Sequence, residues 1–201
     1  MDVFNAIVKF FQEGGVFMYP IMLVFAIGAA IAIERYMNLS LAKRTNRNTW
    51  DKLTQQVKAK NNDQAKAIAS RSNAEVGKIL AYGLSRLRMT KRRDDIEIAM
   101  EEGLMEVIPR LEKRTHYLAT FANIATLLGL LGTIIGLIQA FTAVANANPA
   151  DKADLLSASI SVAMNTTAFG LMAAIPLLLM YTVLQTKTTE LVDSMEMATV
   201  K

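Results

Sequence analysis

Cysteine is absent from the 201 residues, which excludes a disulfide framework, a thiolate metal site and a cysteine nucleophile. Histidine occurs once, as His116, so a cluster of imidazole ligands is excluded as well. A Ser-His-Asp triad or a hydrolytic zinc site would have to use that one residue, at the mouth of an apolar run. Phosphate-cradling loops of the P-loop or GxGxxG kind, low-complexity tracts and internal repeats are missing too. These gaps leave little for an enzyme. The most informative absence is that of charge: residues 14–33, 115–150 and 155–186 form runs of 20, 36 and 32 residues without Asp, Glu, Lys or Arg.

Those runs account for a composition that is 52% hydrophobic and 20% charged, with a mean hydropathy of +0.26. A helix rises 1.5 Å per residue, so about 20 residues cover the roughly 30 Å hydrocarbon core of a bilayer. One such run could be a buried helix of a soluble protein; three of them predict a membrane protein. The first run is GGVFMYPIMLVFAIGAAIAI, preceded by Glu13 and ended by Glu34-Arg35. It lacks the basic leader and the small-residue cleavage site of a signal peptide and is expected to be a retained anchor. The longer second and third runs are expected to tilt or to protrude from the bilayer.

The net charge of +4 could point to nucleic acid, but its distribution argues for the bilayer instead. All of the 22 Lys and Arg except Lys9, Lys152, Lys187 and Lys201 lie between Arg35 and Arg114. Basic residues flank the spans closely there, which places this segment in the cytoplasm by the positive-inside rule. The short NANPADKAD loop then lies outside, with the N-terminus outside and the C-terminus inside. The cluster Arg86, Arg88, Lys91, Arg92 and Arg93 reads as a solvated basic face near anionic lipid.

The expected organisation follows. Residues 1–14 form an amphipathic helix at the outer interface, with Val3, Phe4, Ile7, Val8, Phe10 and Phe11 on one face. Residues 15–34 are the first span and 35–115 a basic cytoplasmic helical domain. Residues 116–145 are the second span, 146–154 a short periplasmic loop, 155–186 the third span, and 187–201 a cytoplasmic tail. Within the cytoplasmic domain, Thr49 is expected to cap a helix through Lys60. Ser72 and Glu75 have capping-box spacing ahead of Val76, Ile79, Leu80 and Leu87. Asn61-Asn62 and Arg71-Ser72-Asn73 read as turns. Ile96, Met100, Leu104, Val107, Ile108 and Leu111 predict a helix over 93–114 that runs unbroken into the second span, with Pro109 as a point of kinking.

With no acid or base at membrane depth, the groups able to do chemistry there are uncharged. In the second span Gly129, Gly132 and Gly136 make a close-packing strip, and Thr126 and Thr133 share a face. In the third, Ser159, Thr166 and Thr167 accompany Ala163, Gly170, Ala173 and Ala174. Such surfaces serve ordinary helix packing. They serve an ion path equally well, provided that another chain supplies a carboxylate.

The segments YPIMLVFAIGAAIAIERYMNL, ANIATLLGLLGTIIGLIQAF and SISVAMNTTAFGLMAAIPLLLMY, in this order, resemble the MotA/TolQ/ExbB proton-channel family, nearest its TolQ/ExbB branch. The resemblance implies an all-α membrane protein: three transmembrane helices with long cytoplasmic helical extensions, assembled as a homopentamer around a central pore. It implies a dimeric ExbD/TolR-like single-span partner carrying an ion-binding aspartate, with a TonB/TolA-like effector beyond it, and no nucleic acid. It also implies an inner-membrane location, work driven by transported H+ or Na+, no enzymatic activity and no resident cofactor or metal beyond passing Na+. By position, Thr133 resembles the pore threonine of the second helix and Thr167 that of the third. Pro176 resembles the AIP proline, and Glu34 and Arg35 the ER pair after the first span. Two departures stand out: many members have a proline where this chain has Thr126, and ExbB-type members often have a glutamate where it has Val162. A flagellar or gliding stator subunit and a non-conducting oligomeric scaffold are the alternatives; flagellar members usually carry a fourth span.

Overall fold

The structure, a computed structural model, describes residues 14–59, 61–87, 89 and 92–200. The interfacial helix expected over residues 1–14 lies outside them except for Gly14. The regular structure among the described residues is all helical, without strands. In chain order the helices are α1 (Met18–Lys58), α2 (Asn62–Arg71), α3 (Glu75–Arg86), α4 (Arg93–Glu112), α5 (Thr115–Ala145) and α6 (Lys152–Val200). Local chemistry fixes several of their ends. Pro20 falls in the first turn of α1, where a missing N–H costs nothing. Gly15, at φ +74°, turns the chain into α1. Acidic residues open α2, α3, α4 and α6 (Asp63, Glu75, Asp94 and Asp154), matching the positive end of the helix dipole.

Three helices are long and apolar enough to cross a membrane, and their most apolar stretches lie in α1, α5 and α6. Only 22–28% of the residues in those stretches are buried within the chain, so lipid or other chains must cover the rest. The helices extend well past the spans: α1 runs 41 residues and α6 49, about 60 and 75 Å of rod at 1.5 Å per residue.

The described residues divide into two compact units, those up to 32 with 116–182 and those of 33–115 with 183 onward. The first packs through small side chains. Ala122, Ala125, Ala140, Ala163, Ala173 and Ala174 are buried, joined by Met18, Ile21, Leu118 and Leu177. In the second unit Leu39, Leu53, Ile79, Leu104, Val107, Leu184 and Met195 form the core. Here α1 and α6 are tied by Lys43 Nζ donating to Glu190 Oε2 (2.8 Å), and by the Lys187 ammonium over the Tyr36 ring (3.6 Å).

Three local expectations are corrected. Thr49 caps nothing: it lies inside the unbroken α1, and its hydroxyl is hydrogen-bonded with that of Ser72 (3.2 Å). The Ser72–Glu75 capping box does not form. Ala74 is the N-cap of α3, Ser72 Oγ accepts from the Ala74 amide (3.1 Å), and the Val76 amide donates to the buried Asn46 Oδ1 (3.3 Å). A side chain 30 residues away thus does the work of a local cap. Finally, the rod expected from residue 93 into the second span is broken. α4 passes through Pro109 and ends at Glu112, and Arg114 takes φ +65° before α5 starts.

Candidate functional site between α5 and α6

The glycine strip of α5 faces α6 at contact distance. A Cβ on Gly129 would sit 3.2 Å from the Gly170 Cα and 3.3 Å from the Thr167 Cα. One on Gly170 would meet the Ala125 carbonyl oxygen at 2.8 Å and the Gly129 Cα at 3.0 Å. Gly136 lies on Ala163, where an added Cβ would come within 2.9 Å of its Cβ, and Gly132 lies on Thr166. Backbone approaches backbone along this seam because nothing larger than hydrogen stands between.

That approach brings hydroxyls together. Thr133 Oγ1 and Thr167 Oγ1 are hydrogen-bonded to each other, and both reach the Gly129 carbonyl, at 3.1 and 2.9 Å. Each hydroxyl has one proton and two lone pairs, so two protons are shared among three oxygens and lone pairs remain. The cluster can accept from a hydronium or water, or offer a partial oxygen shell to a cation. It supplies no charge of its own. Both threonines are half-buried within the chain.

The neighbouring hydroxyls go elsewhere. Thr166 is buried, bonding to the Val162 carbonyl (3.0 Å) and the Gly14 carbonyl (2.6 Å). The adjacent pair Thr166-Thr167 is therefore split: one anchors the chain ahead of α1, the other joins the α5 cluster. Thr126 is exposed and bonds back to the Ala122 carbonyl (3.1 Å), two turns from Thr133, despite lying on the same helix face by spacing. Ser159 is half-buried, eight residues ahead of Thr167 and about 12 Å from it along α6. Pro176 is exposed within α6 and withholds the amide that the Met172 carbonyl would otherwise accept from. The Gly129 carbonyl, the shared acceptor, was not legible in sequence, because it depends on how close the helices come.

In the second unit Glu34 pairs with Arg114 (Oε2 to Nη1, 3.3 Å) and accepts from Asn38 (3.3 Å). Arg35, only 6% exposed, donates to the Leu111 carbonyl. His116 is exposed, its ring 6.2 Å from that of Tyr181. Among the described residues no group of three or more His, Cys, Asp or Glu could hold a metal ion.

Three apolar helices with uncharged interiors, two of them joined along a seam of glycine and threonine, define a membrane protein whose polar groups at that seam are hydroxyls and a backbone carbonyl. Residues 71–197 match the MotA/TolQ/ExbB proton channel family. The chain belongs to that family. It is 28% identical over 205 residues to a protein of Methanothermobacter thermautotrophicus named as an ExbB homologue, covering 98% of this chain and 69% of the relative. An ExbB-like protein of Synechocystis sp. is 29% identical over 194 residues, covering 91% of this chain and 72% of its own. The Tol-Pal system protein TolQ of Haemophilus influenzae is 37% identical over 83 residues, 41% of this chain and 36% of TolQ.

Proposed function

We propose that this chain is the ion-translocating subunit of an inner-membrane energy-transducing motor of the ExbB/TolQ type, serving biopolymer transport rather than catalysing a reaction. Its N-terminus is periplasmic and its C-terminus cytoplasmic. Five copies form a ring, α5 and α6 line the central pore, and a dimeric ExbD/TolR-like helix pair inside it carries the ion-binding aspartate. Flow of H+ or Na+ past that aspartate turns or strains the ring against the partner, and a TonB/TolA-like effector passes the force on. The observation that carries this reading is the Thr133–Thr167–Gly129 oxygen cluster at the seam of two spans that hold no titratable carboxylate or amine. A path built that way needs its charge from a second polypeptide.

Thr133→Val and Thr167→Val together remove both hydroxyls at nearly constant shape. Transduction is expected to fall to background while the oligomer still assembles; a double variant with normal activity overturns the ion path. One observation favours a non-conducting scaffold: the same hydroxyls are bonded within a single chain, in a seam that packing alone explains. That reading expects the double variant, nearly unchanged in shape, to keep both its assembly and its activity. Omitting Na+ at constant proton-motive force distinguishes the ions, since an obligatory Na+ carrier stops.

A further inference from the structure

The break between α4 and α5 is held in an unusual way. Nothing local calls for it: residues 111–116 read Leu-Glu-Lys-Arg-Thr-His, without the glycine or asparagine that normally takes a left-handed conformation. Arg114 takes φ +65° nevertheless. The last carbonyls of α4 need donors, and the Leu111 carbonyl receives one from α1, the buried Arg35 guanidinium through Nη2. One residue earlier on α1, Glu34 holds the Arg114 side chain. α1 thus grips the joint at two adjacent points.

Two buried polar atoms here have no partner, Arg35 Nε and the hydroxyl of Thr115, which is 1% exposed. The second differs from the threonines that lie within helices. Thr120, Thr126, Thr133, Thr142, Thr166, Thr182, Thr188 and Thr189 each donate to the carbonyl four residues back. For Thr115, which opens α5, that carbonyl is Leu111, across the break, and it accepts from Arg35 instead. In an unbroken helix the Leu111 carbonyl would instead accept from the Thr115 amide and could accept from its hydroxyl. A carbonyl oxygen has two lone pairs, and in the unbroken helix the Thr115 amide and hydroxyl would fill both, leaving none for Arg35.

We propose that the 111–115 joint is a two-state conformational switch: Arg35 on the Leu111 carbonyl keeps α4 and α5 separate, and release of Arg35 lets Thr115 take that carbonyl so that the helix closes through Arg114. In the separate state the first amides of α5 have no intrahelical acceptor; in the closed state they do. The switch is local to the chain and stands or falls independently of ion conduction.

Hydrogen–deuterium exchange of the full chain in lipid nanodiscs reads it directly. Arg35→Met removes the guanidinium at similar length and should slow exchange at residues 115–118 at least tenfold, whereas simple loosening would speed it. Adding Arg114→Gly to that variant should bring fast exchange back, because glycine accepts positive φ without strain. Arg114→Ile keeps Arg35 and presses the same switch, since a β-branched residue resists that conformation; it too should slow exchange at 115–118. Amides 100–107 of α4 report whether each variant is folded. If Arg35→Met is folded and exchange at 115–118 is unchanged or faster, the switch is refuted. If Arg35→Met does not fold, Arg114→Ile decides by the same criterion.

Discussion

Replacing Gly170 by alanine tests the packing of the α5–α6 seam, and Gly28→Ala is its internal control. Both glycines lie in long helices, so each substitution gains about 1 kcal/mol of helix propensity. They differ in what the new methyl meets. At Gly28 it meets the Leu177 side chain, Cδ2 at 2.8 Å and Cδ1 at 3.0 Å, the ends of a group that can rotate away. At Gly170 it meets the Ala125 carbonyl oxygen at 2.8 Å and the Gly129 Cα at 3.0 Å, which are backbone and cannot. Overpacking costs about 1–3 kcal/mol, and a collision with backbone belongs in the upper half of that range, so Gly170→Ala should destabilise by about 1–2 kcal/mol net. A chain of this size then melts roughly 2–8 °C lower, at about 2–4 °C per kcal/mol. Gly28→Ala should melt at or slightly above the wild-type temperature. The assay is the thermal midpoint of the detergent-solubilised protein, followed by size-exclusion chromatography. Equal midpoints for the two variants, or a larger loss for Gly28→Ala, would refute the backbone-contact argument.

Other perturbations have equally definite outcomes. Thr133→Ser and Thr167→Ser keep an oxygen at each position and should retain most transduction, measured against the valine variants in the same cells. Asn46→Ala leaves the buried Val76 amide without its acceptor, at about 1–3 kcal/mol; the thermal midpoint should fall and amide exchange at the start of α3 should quicken. The Lys43 ammonium, hydrogen-bonded to Glu190, holds that carboxyl below its usual range. Whatever stability the pair adds is present at neutral pH and fades as pH falls through the lowered value. Both ends are more than half exposed, so the effect is small and salt-screened. Glu190→Gln should therefore melt slightly below wild type at pH 7 and level with it in acid, and a gap persisting in acid would contradict the pairing.

The parts legible in sequence are those that a single run of residues determines. The uncharged runs marked the helices capable of spanning a membrane, and the Gly129–Gly132–Gly136 spacing marked a surface that α6 does approach. The misreadings share another cause. Thr49 and Ser72 look like caps by local rules, yet α1 continues past Thr49, whose hydroxyl has its partner on a distant segment. The α4–α5 break is invisible locally because Arg114 is a good helix former, and the donor that holds the joint comes from Arg35, 76 positions from the Leu111 carbonyl that it meets. The pairing of Thr133 with Thr167 rather than Thr126 likewise depends on the rotation of two helices about each other, which side-chain spacing within one helix leaves open.

Where Gly129 meets Gly170 there is no rotamer to flip and no side chain to compress. Sliding or rolling of α5 against α6 would have to be absorbed by the peptide planes themselves. The two helices are therefore expected to move here as one stave, with compliance left to surfaces padded with leucine and methionine.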